Sequence, residues 1–489
     1  MTAEALVNGR TRLAVNPALP ASSLDREDRI KELAAGVSTG YPSAPREVAM
    51  AGVIGVRRET KSTWERRTPV TPELARHLVA DSGVSVLVQP SGRRVFHDKE
   101  YVRAGATTPS DLSDAPVILG VKEIPAEALQ PKTTYLFFSH VIKGQPHNMA
   151  MLARLKELEC TLIDYELVRD ENDRRLIFFG RFAGLAGMID TLWALGARLR
   201  SEGVRSAFEA IEQAHTYSSL HEAKAAVRAV GEEIRTDGLP SGLVPLIIGV
   251  AGYGNVARGV QEILAELPLR TADPTELRTL SAEDTTHCII QATYQEHHLV
   301  VPRDAGHRFD LQDYYAHPEL YRSRFFDDLP HLTVLMNCNY WDQRYPRLVT
   351  KDELRRLYDS DSGPRLRVIG DLGCDIEGAV ECTLKCTAPG DPVYVYDPGR
   401  GTISAGVDGP GPVILAVDIL PAELPREASE EFSSALGRFL PAIARADFGA
   451  PFDRLDLPPE IRRAVILHRG RFTPDFVYLQ AHLDSHADG

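Results

Sequence analysis

The sequence predicts an α/β protein with mainly parallel sheets, on three observations. Short apolar runs alternate with amphipathic stretches from Val53 to Gly370, the pattern of strand and helix taking turns. One of these runs, Leu246, Ile247, Ile248 and Val250, passes straight into Gly252-Tyr253-Gly254-Asn255-Val256-Ala257. That is the G-x-G-x-x-A form of the dinucleotide-binding turn. The 489 residues, 43% apolar and 25% charged, are enough for two or three domains with sizeable cores.

Residues 1 to 50 mix small, polar and charged groups with several prolines, so a flexible leader with one weak helix at Arg26–Ala35 is expected. Order is expected to begin at Val53-Ile54-Gly55-Val56, a strand ending in Arg57-Arg58-Glu59. A loop carrying Trp64-Glu65-Arg66-Arg67 leads to a helix start with Thr71 as cap, Pro72 first and Glu73 in the first turn. Gly83 ends that helix and Val84–Val88 returns as a strand. The strands Val117–Val121 and Tyr135–Ser139 run into Lys122 and His140. A helix over Pro146–Glu159, a strand at Thr161–Tyr165 and a further strand at Arg175–Phe179 continue the alternation. Phe182–Arg200 reads as a long helix whose Ala183, Gly184, Ala186 and Gly187 suit close packing. A polar helical region over 205–238 precedes the glycine turn, and a helix at Val256–Leu267 follows it. Thr286–Ala292, Leu332–Asn337 and Leu366–Gly370, which ends in Asp371, are further strands. After the Gly- and Pro-rich Gly401–Pro412, a helix at Ala428–Leu440 is stopped by Pro441, and this last segment is expected to cross back onto the first domain.

The bulk numbers exclude several classes. A net charge of −13 does not invite nucleic acid or an anionic membrane. No run approaches the roughly 18 apolar residues of a membrane span, and the first residues lack a secretion pattern, so a cytoplasmic protein is expected. The cysteines at 160, 288, 338, 374, 382 and 386 are scattered, which fits reduced thiols. Cys382 and Cys386 have zinc-ligand spacing without a second pair, and are read as buried structural thiols. His297 and His298, adjacent on a strand, would point to opposite faces, so no metal is expected.

Ligands of open parallel sheets sit outside the carboxyl ends of the strands. Gly252 permits the tight turn there, Gly254 lets the backbone approach a pyrophosphate, and the next helix offers its N-terminus through Asn255 and Val256. Tyr253 lies in the same loop. Lys122 and His140 are predicted at neighbouring strand ends, where an ammonium and an imidazole shift one another's proton equilibria and exchange protons while a hydride moves. Either alone reads as a surface lysine or a strand-capping histidine; together, opposite a cofactor turn, they favour chemistry. Arg67, with Arg66 and Arg57, offers guanidinium forks for a substrate carboxylate, as do Arg93 and Arg94, against ordinary ion pairing. Asp371 either faces the nicotinamide or caps a turn. Asp273, about 20 residues past the glycines, suits an NAD ribose, whereas Arg270 suits an NADP phosphate.

With Arg57-Arg58-Glu59, Trp64-Glu65-Arg66-Arg67, Ile118-Leu119-Gly120-Val121-Lys122, Phe137-Phe138-Ser139-His140, Ile163-Asp164-Tyr165-Glu166, Ala183-Gly184-Leu185-Ala186-Gly187-Met188, Gly252–Val256 and Leu424-Pro425-Arg426-Glu427-Ala428 in order, the chain resembles the lysine–ketoglutarate reductase family. These are the lysine-forming saccharopine dehydrogenases. It is most similar to the reductase half of the bifunctional animal and plant enzymes, and distantly similar to alanine dehydrogenase. The resemblance implies two Rossmann-like domains: a catalytic one from residues 51–182 and 420–489, and a dinucleotide-binding one over 183–419. It implies Lys122 and His140 as the acid–base pair, Arg67 on a substrate carboxylate, and Asp371 beside the nicotinamide. NADP(H) is the favoured cofactor, with NAD(H) allowed, and the substrates implied are an amino acid and a 2-oxo acid.

Departures include Gly373-Cys374-Asp375-Ile376-Glu377-Gly378 and Asn339 within Met336–Trp341. The leading expectation is therefore saccharopine formation from lysine and 2-oxoglutarate, or its reverse. The first alternative is oxidative cleavage of another N6-substituted lysine or N–N-linked adduct. The second is a non-catalytic nucleotide sensor. Homo-oligomer formation is left open.

Overall fold

The computed structural model describes residues 52–281, 285–360 and 364–487; the expected leader and its helix lie outside them. Seventeen strands are formed among the described residues. They are β1 (Val53–Val56), β2 (Ser85–Val88), β3 (Val117–Leu119), β4 (Thr134–Phe137), β5 (Thr161–Asp164), β6 (Ile247–Ala251), β7 (Leu269–Ala272), β8 (Ile289–Tyr294), β9 (Val300–Pro302), β10 (Tyr321–Ser323), β11 (Val334–Asn337), β12 (Val368–Asp371), β13 (Val393–Asp397), β14 (Thr402–Ala405), β15 (Val413–Leu415), β16 (Val465–His468) and β17 (Arg471–Phe472).

Two large sheets result. The first runs β17-β16-β5-β4-β3-β1-β2, so its strands come from both parts of the chain. β1 to β5 pair in parallel, and β16 joins β5 antiparallel. The second runs β14-β13-β15-β12-β11-β6-β8-β7, parallel except for the β13–β14 edge hairpin. Strands such as β4, β5, β6, β11 and β12 are buried along their whole length, as strands covered on both faces must be.

The long helix Gly180–Ser201 is buried on almost every side against the second sheet. Its small residues explain how close it comes. A side-chain carbon on Gly184 would lie 1.9 Å from the Val256 carbonyl oxygen, and one on Gly259 would lie 2.1 Å from that of Arg181. The Asn255–Leu264 helix that follows the glycine turn is thus packed backbone to backbone. At the C-terminal side, the helix Pro425–Gly437 sends Phe432 and Leu436 into the core of the first sheet. Ser429 and Ser433 on the same helix accept from the backbone N–H groups of Thr68 and Thr71.

Several expectations are corrected. Arg175–Phe179 forms no strand: β5 is already flanked by β4 and β16, and Arg175 makes an isolated bridge to Arg169 across a turn held by Asp170. The helix expected at Ala428–Leu440 ends at Gly437, and Pro441 sits in the first turn of the next helix, Leu440–Arg445, where a missing N–H costs nothing. Finally, β7 is an unexpected strand; it lies at the sheet edge beyond β8, which pairs with β6.

Candidate active site

Lys122 and His140 leave the carboxyl ends of neighbouring parallel strands, β3 and β4. Burial lowers the pKa of the Lys122 ammonium, and the nearby Arg67 cation lowers it further, against Glu123, Glu65 and Asp418. Asp418 follows β15 of the second sheet, so Lys122 faces the opposite half of the molecule. Glu123 ties the pair together: it follows Lys122, and its Oε1 lies 2.7 Å from His140 Nδ1. Burial alone would raise this carboxyl, yet the bond to His140 and that ring's charge, with Lys61, bring it down to about 2. An ionised Glu123 holds the proton on Nδ1 and leaves Nε2 for exchange.

Both residues are held from below. Glu59, buried, accepts from the N–H groups of Val121 at 2.8 Å and Lys122 at 3.2 Å, and burial pushes it up to about 7. His140 adopts a left-handed backbone at φ 48°, which costs about 1–3 kcal/mol outside glycine. Asn148 offsets part of that by donating to the carbonyls of Ser139 and His140 at 3.1 and 3.2 Å.

Arg67 is buried beneath this pair, over the Phe179 ring at 4.2 Å. Its Nε and Nη2 donate to Glu65 at 2.8 and 2.5 Å, so one edge of the fork is taken and Nη1 is left for a ligand. Burial would raise Glu65, but Arg67 outweighs it and the carboxyl is lowered. Arg66 is exposed. Arg57 is buried against Thr60 at 3.1 Å and Glu59 at 3.9 Å, and lines a cavity of about 360 Å³ with Ile118 and Tyr135. Arg94 is spent on Asp98 and the Gln89 carbonyl and rests on Tyr101, while Arg93 is exposed.

The second sheet carries the glycine turn. Its strand order turns at β6, with β8 on one side and β11 on the other, the switch point at which open sheets bind ligands. Gly252 there has φ 109°, and a side-chain carbon on it would meet Asn339 Oδ1 at 2.7 Å. Nothing lies within 4 Å of the corresponding point on Gly254. No side chain caps the Asn255–Leu264 helix at Gly254, which leaves its first N–H groups for an anion. These features fit a dinucleotide pyrophosphate. Asp371, at the end of β12, is buried and accepts from Asn337 Nδ2 at 2.8 Å and Thr383 Oγ1 at 2.6 Å; burial raises its pKa. Across the gap, Lys143 lies 5.7 Å from the Tyr340 ring, and Trp64 meets the His215 ring edge-on at 4.9 Å.

Asp273 and Arg270 stand elsewhere. Both belong to the outer strand β7 and its end; Arg270 is exposed, and Asp273 caps the next turn by accepting from Thr275 N at 2.9 Å. His297 and His298 lie in a short helix, Glu296–Leu299, with ring centroids 3.8 Å apart, rather than on opposite faces of a strand. The chain turns immediately after β8. Cys382 is buried but Cys386 is exposed, its thiol 3.5 Å from the Cys374 carbonyl, so only one of the two is a core thiol. Sequence reasoning missed Glu65, Glu123 and Asn337, although each sits beside or within a stretch it singled out.

The family described as alanine dehydrogenase/PNT, N-terminal domain, matches residues 55–186. An α-aminoadipic semialdehyde synthase of Arabidopsis thaliana is 38% identical over 449 residues, 88% of this chain and 41% of that protein. The mitochondrial enzyme of the same name from Bos taurus is 37% identical over 454 residues, 90% of this chain and 49% of its own length. The chain thus spans less than half of these relatives. A saccharopine dehydrogenase [NAD(+), L-lysine-forming] of Yarrowia lipolytica is 28% identical over 397 residues, 78% of this chain and 89% of that one. Among solved structures, an L-alanine dehydrogenase superposes with a TM-score of 0.57 at 17% identity, covering 88% of this chain and 99% of that one, a likeness of fold. The chain is a homologue of the aminoadipic semialdehyde synthases and saccharopine dehydrogenases.

Proposed function

We propose that this homologue of the saccharopine dehydrogenases is a nicotinamide-dependent oxidoreductase. It joins the ε-amine of lysine to 2-oxoglutarate and reduces the imine to saccharopine, or runs that reaction backward. The observation that carries this reading is the pair of Lys122 and His140 at neighbouring strand ends, linked through Glu123, with Asp418 of the other half of the molecule near enough to act on Lys122. A nicotinamide dinucleotide would be held through its pyrophosphate at Gly252–Val256, with Asp371 as the residue proposed for the nicotinamide end, and would supply or take the hydride. Everything else is proton traffic. A lysine amine attacks only when neutral, so a base must take its proton; the carbinolamine loses water only when an acid delivers one. Lys122, whose burial eases loss of its proton, and His140, whose Nε2 is free, serve those two needs. Arg67 receives a substrate carboxylate on its free edge. Of the two dinucleotides, the family resemblance by itself favours NADP(H).

The domain division that accompanies this reading is a catalytic part from 51–182 and 420–489 around a dinucleotide-binding part from 183–419. A second reading, another N6-substituted lysine or N–N-linked adduct as substrate, is favoured by Asn339 against the turn and by Ile376, exposed to 60%. Initial rates of reduced-nucleotide oxidation with lysine plus 2-oxoglutarate test the choice. Turnover of that pair above any N-substituted lysine in the reverse direction supports saccharopine. No oxidation with it, alongside turnover of another adduct, transfers the assignment to the second reading.

A further inference from the structure

We propose that Glu296 selects the cofactor by accepting a hydrogen bond from a ribose 2′-hydroxyl, so that the chain prefers NAD(H) to NADP(H). This inference rests on reading the Gly252–Ala257 turn as the nucleotide site, and it reverses the preference that resemblance alone favours.

In a dinucleotide-binding sheet the ribose is read by an acid at the end of the strand beside the one that enters the glycine turn. Sequence spacing assigns that strand to the segment ending in Asp273. The structure assigns it to β8, which pairs with β6 in parallel, Tyr294 opposite Ala251, and whose Tyr294 carbonyl accepts from Gly252 N at 3.0 Å. β7, with Arg270 and Asp273, is one strand further out. Two residues past Tyr294 stands Glu296, half-buried. The Tyr253 hydroxyl, from within the glycine turn, donates to its two oxygens at 3.1 and 3.3 Å, and the Tyr315 hydroxyl donates to Oε1 at 2.5 Å. Burial first, and Glu296 next, raise the pKa of both tyrosines, which keeps them as donors. The carboxylate is thereby tethered to the loop that would cradle the pyrophosphate, with acceptor capacity to spare.

A 2′-phosphate at this point would set a second anion against the carboxylate, whereas a 2′-hydroxyl donates to it. The nearby cations do not change the balance. A cavity of about 210 Å³ beyond the ends of β7 and β8 is lined by Arg278, His298 and Arg324, but also by Asp327 and Asp328. Arg278 donates to the Asp327 carbonyl at 3.1 Å and lies 3.8 Å from the Asp328 carboxylate, which Arg324 faces too.

The test is a fluorescence titration of the protein, without substrate, by NADH and by NADPH. NADH is expected to bind tighter by about tenfold or more, the worth of a hydrogen bond to a charged group. Glu296→Gln is expected to close most of that gap, chiefly by weakening NADH, and Tyr315→Phe to move it the same way by less. NADPH binding as tightly as NADH or tighter, with a ratio that Glu296→Gln leaves alone and Arg324→Ala lowers, would overturn the proposal while leaving the nucleotide site standing. Binding of neither nucleotide would overturn the site and this inference together.

Discussion

The two walls of the gap are built from different materials. The first sheet presents buried ions: Arg57, Glu59, Glu65 and Arg67 are each under 9% exposed, packed around Lys122, Glu123 and His140. The second sheet presents shape. Its contribution is two glycines, an uncapped helix start and a hydrogen-bonded network in which Asn337 and Thr383 donate to Asp371. Charges out of water have proton equilibria set by their neighbours, which suits a wall that must give and take protons. A wall that must hold a large, already charged cofactor needs open backbone donors and room instead. The division implies that substitutions on one wall should damage chemistry and those on the other should damage nucleotide affinity.

The sharpest way to break that division is Lys122→Met. Turnover is expected to fall by about 10²–10⁴, the usual worth of a positioned acid or base, while a nucleotide titration stays unchanged. Next in size is the acid response of Glu123. Its carboxyl is lowered from an ordinary 4.5 to about 2 in the fold, so its stabilisation is present above pH 4.5 and is lost as pH falls through 2. At most about 3 kcal/mol is at stake, and Glu123→Gln is expected to flatten the acid limb of stability measured by urea titration. Glu59 works in the opposite sense. Raised to about 7, it contributes stability below pH 4.5 that is lost as pH rises through 7, and Glu59→Gln is expected to remove that decline.

Two smaller effects sharpen the contrast. Gly252→Ala places a methyl group in a left-handed turn and against Asn339, a strain of about 1–3 kcal/mol. The expected result is weaker nucleotide binding by roughly tenfold to a hundredfold, with the turnover of the fully loaded enzyme less affected. Arg67→Lys keeps the charge but loses the two-pronged hold on Glu65 and the stacking on Phe179. It is expected to raise KM for the keto acid by about tenfold while kcat changes less.

Much of this could be read from residues alone. Thr71 caps its helix by accepting from Leu74 N at 3.3 Å, as the Thr-Pro-Glu run implied. The glycine turn follows a buried strand, and Lys122 and His140 do leave adjacent strand ends. What escaped was pairing at a distance. The spacing rule that points to Asp273 assumes that the first strand after the turn lies next to β6, and nothing local tells that β8 takes that place. Likewise β16 and β17 are short, and their partner β5 lies about three hundred residues away, so no local pattern marks their sheet. Glu65 and Glu123 were visible as neighbours of Arg67 and Lys122, but a carboxylate beside a cation in sequence is usually solvated. Only burial shows that these two are not.

One sample with two readouts tests the separation of the walls most directly: His140→Asn, titrated with reduced nucleotide and then assayed with lysine and 2-oxoglutarate. The account predicts a dissociation constant equal to that of the unaltered protein and a turnover lower by about 10²–10⁴. Full turnover, or a loss of nucleotide affinity as large as the loss of rate, would contradict it.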